Sequence, residues 1–162
     1  MISCIIQQHL KTAKNLIMLN FIVPEFWQLK NIWSYVLNAY NANNNFFKEN
    51  RQIYSIYGCF PNMIWNGGRV CVSDKWCTEE EVKNTFEHYH KLGVKLALTM
   101  TNLSVNETHL NDEYCNMILR IANNPKYNTE IIVANDILEN YIRNTYKNFK
   151  YTKSIQNANL QN

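Results

Sequence analysis

What this chain lacks most plainly is a block of like charge. Its 16 basic and 13 acidic residues are scattered, and a net charge of +3 leaves neither the basic stripe of a nucleic-acid binder nor a polybasic membrane anchor. No nucleic-acid or membrane partner is expected. Nucleotide loops are missing too: no G-x-G-x-x-G, no G-K-[ST] and no serine-triad motif occurs. Cysteine pairing is absent as well. Cys4, Cys59, Cys71, Cys77 and Cys115 are odd in number, irregularly spaced and form no C-x-x-C, which argues against a disulfide framework and for a reducing compartment. The apolar amino-terminal stretch is interrupted by Gln7, Gln8, His9, Lys11 and Lys14, with no basic segment before it. It therefore reads as neither signal peptide nor membrane span, and a cytoplasmic location is the expectation.

Glycine is scarce, which gives weight to where it falls. Of four glycines, two stand side by side as Gly67 and Gly68, inside the stretch IYSIYGCFPNMIWNGGRV at 53–70. A glycine pair among bulky side chains marks backbone that needs positive φ or that something approaches closely. Arg69 follows directly and offers a planar fork of donors for an anion. The plainer account is a tight turn with a solvated arginine.

The 162 residues, 46% of them hydrophobic, suffice for one domain with a real core. Residues 1–20 carry loosely helical apolar spacing, and a second amphipathic helix is expected from Pro24 through Phe26, Leu29, Trp33, Leu37 and Tyr40 to the Asn-rich break at 41–45. Its aromatic stripe is a packing stripe before it is a ligand platform. Together these make a helical segment, 1–45, packed on the domain that follows. The first strand is expected at Gln52–Tyr57, followed by a loop of roughly twenty residues to Cys77, beyond the usual connection length and therefore functional or disordered. Its aromatic content argues against disorder. Thr78 and Glu81 form a capping box that opens a helix ending at Gly93.

VKLALTM at 94–100 reads as a strand covered on both faces, ending at the polar pair Thr101-Asn102. A helix over Leu110, Tyr114, Met117, Ile118 and Ile121 closes at Asn123-Asn124-Pro125. EIIVA at 130–134 is the next strand and ends at Asn135-Asp136, where Asp136 and Glu139 read as a second capping box opening a helix through Leu138 and Ile142. A final strand is expected at 149–152, and 156–162 as a frayed tail. Strands alternating with helices make an α/β domain, residues 46–155, with a parallel sheet of about four strands. That fits half of a closed barrel or a small open sheet. In either, ligands lie outside the carboxyl ends of the strands, which gathers Asn66, Gly67, Gly68, Arg69, Asn102, Asn135, Asp136 and Ser154 into one candidate ligand-binding rim. Asp136 is equally explained as a helix cap.

No metal site is expected. Cys59, Cys71, Cys77, His88 and His90 follow no zinc spacing, and the two histidines, two apart on a helix, point to different faces. Cys59 near Arg69 is the better-placed nucleophile, though a buried structural thiol explains it as well.

The order YGCFPNMIWNGGRV, capped helix, GVKLALTMTN, EIIVAND and YTKSI resembles the first half of the barrel in the collagenase-like peptidase family, whose superfamily includes oxygen-independent hydroxylases. The resemblance covers about residues 50–155 and is one of layout, closest to an uncharacterised bacterial and phage branch. It implies a partial TIM-type barrel preceded by one or two helices, with a cleft for a small molecule or peptide at the strand ends. The family's further barrel half and the cysteine cluster that holds an iron–sulfur centre in several branches have no counterpart in this sequence, so no cofactor is expected. A truncated chain that docks through its open sheet edge, onto a second barrel half or another copy, is the alternative. No motif specifies a reaction.

Overall fold

The computed structural model describes residues 19–42, 51–67, 71 and 73–154. Among them, five strands alternate with four α-helices: β1 Leu19–Pro24, α1 Lys30–Ala42, β2 Arg51–Gly58, α2 Glu79–Lys91, β3 Lys95–Met100, α3 Glu113–Ala122, β4 Glu130–Val133, α4 Asp136–Thr145 and β5 Lys150–Lys153. Short 3-10 turns at Glu107–Asn111 and Pro125–Tyr127 flank α3. The strands lie in the order β1-β2-β3-β4-β5, each parallel to the next. Right-handed crossovers between consecutive neighbours put every helix on the same face. The result is a half-barrel, with helices outside and a concave face that no helix of the described residues covers.

The sheet has five strands where the sequence reading has about four. LNFIVP, where the sequence reading ends one helix at residue 20 and opens the next at Pro24, is β1, paired in parallel with β2 through a register shift between Phe21 and Ile22. Residues 19–42 are thus the first strand and helix of the sheet rather than helices that precede it. Pro24 ends a strand instead of opening a helix, Glu25 takes φ 65, and α1 starts only at Lys30. The left-handed residue breaks the chain direction and sends Phe26 into the core instead of onto a helix face. Residues 1–18 of the helix expected over 1–20 lie outside the described residues, as do residues 43–45 of the Asn-rich break and the tail at 156–162.

Packing explains the helices. Phe60 is buried against Phe26, Trp27 and Phe86, with ring centroids 5.2, 5.3 and 5.9 Å away, and Tyr89 donates its hydroxyl to the Phe26 carbonyl at 2.6 Å. Trp33 donates to the Pro24 carbonyl at 2.7 Å, so the aromatic stripe serves packing. Helix α2 carries the capping box read from the sequence, Thr78 Oγ1 accepting from Glu81 N while Glu81 reaches back to Thr78 N. Gly93, at φ 76, ends it. On α1, Ser34 Oγ donates to the Lys30 carbonyl and therefore accepts from His88 Nε2 at 2.7 Å, tying α1 to α2.

Candidate functional site at the carboxyl rim

The chain leaves β2 at Gly58 and runs over the carboxyl ends of the neighbouring strands. Trp65, fully buried, pins this loop: its indole nitrogen donates to the His109 carbonyl at 2.9 Å and its ring meets Tyr141 edge-on at 5.9 Å. Asn62, at φ 62, clamps the loop's return. Its backbone N–H donates to the Cys71 carbonyl and its side chain bridges Ser73 in both directions.

Gly67 is the closest approach in the rim. A Cβ there would sit 2.6 Å from Asn102 Cα, 2.8 Å from Asn102 N and 2.8 Å from the Thr101 carbonyl oxygen. Thr101 Oγ1 donates to the Gly67 carbonyl at 2.6 Å and accepts from Gly67 N at 3.3 Å. Of the two uses that a glycine pair can have, this position serves close approach. Beside it, Thr99 Oγ1 donates to Asn66 Oδ1 at 2.9 Å. Gly68 and Arg69 lie outside the described residues.

Asn102 holds the loop from below. Its side-chain nitrogen donates to the Ile64 carbonyl at 2.7 Å, its oxygen accepts from Ser104 N at 2.9 Å, and its backbone N–H donates to the Trp65 carbonyl. Asn135 does the same one strand further on, donating to the carbonyls of Leu103 and Val105 at 3.1 and 2.9 Å while its oxygen accepts from Leu138 N at 3.0 Å. The cap of α4 is therefore Asn135, not Asp136: its φ of −102 and ψ of 126 put it just outside the helix, where a side-chain oxygen reaches the free amides. Asp136 takes the first helical position and pairs with Lys153 at 3.1 Å, both side chains more than half exposed. This carboxylate raises the Lys153 pKa above its usual range. Ser154 N donates to the Val133 carbonyl at 2.8 Å, which keeps the end of β5 on the same rim.

The rim thus brings together Asn66, Gly67, Asn102, Asn135, Asp136 and Ser154. The amide oxygens of the three asparagines are engaged with protein groups, as are the amide nitrogens of Asn102 and Asn135, so these side chains shape loops. Lys153 and Asp136 supply exposed charge. Burial pushes the Cys71, Cys77 and Cys115 thiols up, keeping them protonated at neutral pH. Cys59 is buried and its carbonyl accepts from Cys71 Sγ at 3.9 Å. Among the described residues no three His, Cys, Asp or Glu side chains gather as a metal site; His88 faces Ser34, while His90 lies edge-on to Tyr127.

A second polar group lies at the opposite end of the concave face, and sequence patterning does not show it. Lys95 begins β3, Glu130 begins β4, and their side chains pair at 3.2 Å while only 8% and 17% exposed. Thr152 Oγ1 donates to Glu130 Oε1, and the Lys95 ammonium sits over the Tyr54 ring, 3.9 Å from its centroid. Its hydrogen bond and charge hold the Tyr54 pKa below the usual tyrosine range. Strand pairing alone brings residues 35 positions apart into this contact. A cleft of about 570 Å³ between α3 and α4 is separate from both ends; there Asn116 Oδ1 accepts from the hydroxyls of Tyr141 and Tyr146 and its nitrogen donates to Leu110 and Asp112 carbonyls. No helix of the described residues is long and apolar enough to cross a membrane.

Comparison of the chain with models of known protein families, with curated proteins and with solved structures finds no match.

Proposed function

We propose that the carboxyl rim of the half-barrel binds a small molecule or peptide that carries a carboxylate or other acidic group. The observation that supports this reading is the seating of Gly67 on Thr101 and Asn102, because it fixes the segment leading into Arg69 at the end of the sheet where parallel α/β folds place their ligands. Arg69 supplies a bidentate donor fork, and Lys153 a second cation that an incoming anion can share with Asp136. Asn66, Asn102 and Asn135 hold the loops that frame the cleft. The layout shared with the collagenase-like peptidase group favours the same end of the sheet. The activity proposed is binding; the buried, protonated thiols of Cys71, Cys77 and Cys115 are poor nucleophiles.

Titration calorimetry with a panel of acidic peptides and small di- and tricarboxylates tests this. At least one ligand is expected to bind the wild-type chain, and Arg69→Ala to weaken it by about tenfold or more with an unchanged far-UV spectrum. Unchanged affinity in that variant removes Arg69 from the site, and no binding across the panel contradicts the reading.

A further inference from the structure

The two edges of the sheet are built differently. Strand β5, KYTK, carries Lys150 and Lys153, and Arg143 of α4 lies against Tyr151, its guanidinium 3.7 Å from the ring centroid. Charge on an edge, lysine above all, is a common device against unwanted strand pairing. Strand β1, LNFIVP, has no charged residue, and its Leu19, Phe21 and Ile22 are 48%, 45% and 57% exposed.

The helical layer continues the same contrast. Helix α1 meets α2 through Ser34 and through Asn41, which donates to the Leu92 carbonyl. Ile32 stands roughly 160° round the helix from Ser34, on the flank above the edge of β1 that no other described strand pairs, and Tyr35 lies beside that flank. They are 56% and 74% exposed. The only charged residue of α1 is Lys30, which lies toward α2, where its charge adds to burial in holding the His88 pKa down.

We infer that this strand-and-helix flank docks a second copy of the chain about a twofold axis, β1 antiparallel to its partner's β1 and the two α1 helices side by side. An uncharged apolar surface can meet itself without like-charge repulsion, whereas the lysine-bearing β5 edge cannot. A heterologous pairing of β1 on β5 would set apolar side chains against lysines. It would also leave one open edge on each end of the assembly, a contact that propagates. The twofold arrangement uses up the apolar edge of both copies and closes at two. It does not depend on ligand binding at the rim.

Sedimentation velocity over a range of micromolar concentrations tests the inference. A dimer of the 19.2 kDa chain is expected. Ile22→Lys should raise its dissociation constant roughly tenfold or more by setting lysines near each other across the axis. Tyr35→Lys, on exposed helix surface and checked for folding by circular dichroism, should weaken it in the same direction, and Lys150→Ala should leave it unchanged. A monomer throughout, a dimer indifferent to both Ile22→Lys and Tyr35→Lys, or one dissociated by Lys150→Ala overturns the inference.

Discussion

Gly67→Ala is expected to destabilise the protein by about 1–3 kcal/mol, the usual cost of forcing a methyl group into packed surroundings, and to abolish ligand binding at the rim. The new Cβ would face Asn102 Cα and N and the Thr101 carbonyl at 2.6–2.8 Å. All three are backbone atoms in the segment that leaves β3, so no side chain can swing aside. Relief comes only if the 64–67 segment lifts, which breaks the paired Thr101–Gly67 hydrogen bonds and the Asn102–Ile64 bond. Gly93→Ala is the control. Its Cβ meets nothing within 4 Å but its φ is 76, so it should cost about 1 kcal/mol through backbone conformation alone and leave the rim untouched. Urea unfolding gives both costs, and the indole N–H of Trp65, which donates to the His109 carbonyl, reports the loop through its resonance in a nitrogen-15 correlation spectrum. Equal stability losses with an undisturbed Trp65 signal in both variants would mean that Gly67 is not seated as described.

Glu130→Ala should cost about 2–4 kcal/mol, because it leaves the buried Lys95 ammonium without its carboxylate. The Tyr54 ring remains as its neighbour, a partial substitute at best. Glu130→Gln keeps an acceptor for Thr152 and should cost clearly less. The double variant Lys95→Met with Glu130→Leu removes both charges together and should return close to wild-type stability. Should Glu130→Ala cost no more than about 0.5 kcal/mol, the pair would be behaving as a solvated surface contact, and the reading of Lys95 and Glu130 as a buried pair would be wrong. The two variants separate the ends of the sheet: the amino ends of β3 and β4 hold strands together, the carboxyl ends carry loops.

Much of this architecture is legible in the chain because its signals are local. The Thr78–Glu81 box, Gly93, the apolar run at 95–100 and the Asn123-Asn124-Pro125 stop each act within a few residues, and each lies where the pattern puts it. Strand β1 was hidden because LNFIV leads into Pro24 and a helically spaced aromatic run, and an edge strand with most of its side chains exposed shows no inside–outside alternation. What decides the matter is the left-handed Glu25, which no residue preference announces. The cap of α4 is read from the sequence at Asp136, whereas backbone geometry puts it at Asn135, the adjacent residue of similar capping ability.

The rim itself was legible as a place, from the rule that strand carboxyl ends converge. The work its residues do was not. Asparagines look like ligand donors in a sequence, but Asn102 and Asn135 spend their amides on loop carbonyls contributed by other segments. The Lys95–Glu130 pair is invisible for the same reason, since only the register of β3 against β4 brings the two together.

The most direct measurement is a nuclear Overhauser spectrum of the labelled protein, read at Gly67, Asn102 and the strand α-protons. Strong cross-peaks from the Gly67 α-protons to those of Asn102, with no α-proton to α-proton cross-peaks between β2 and β3 or between β3 and β4, are expected from parallel strands whose ends share one rim. Missing Gly67–Asn102 cross-peaks, or α-proton cross-peaks between those strands that mark antiparallel pairing, would contradict it.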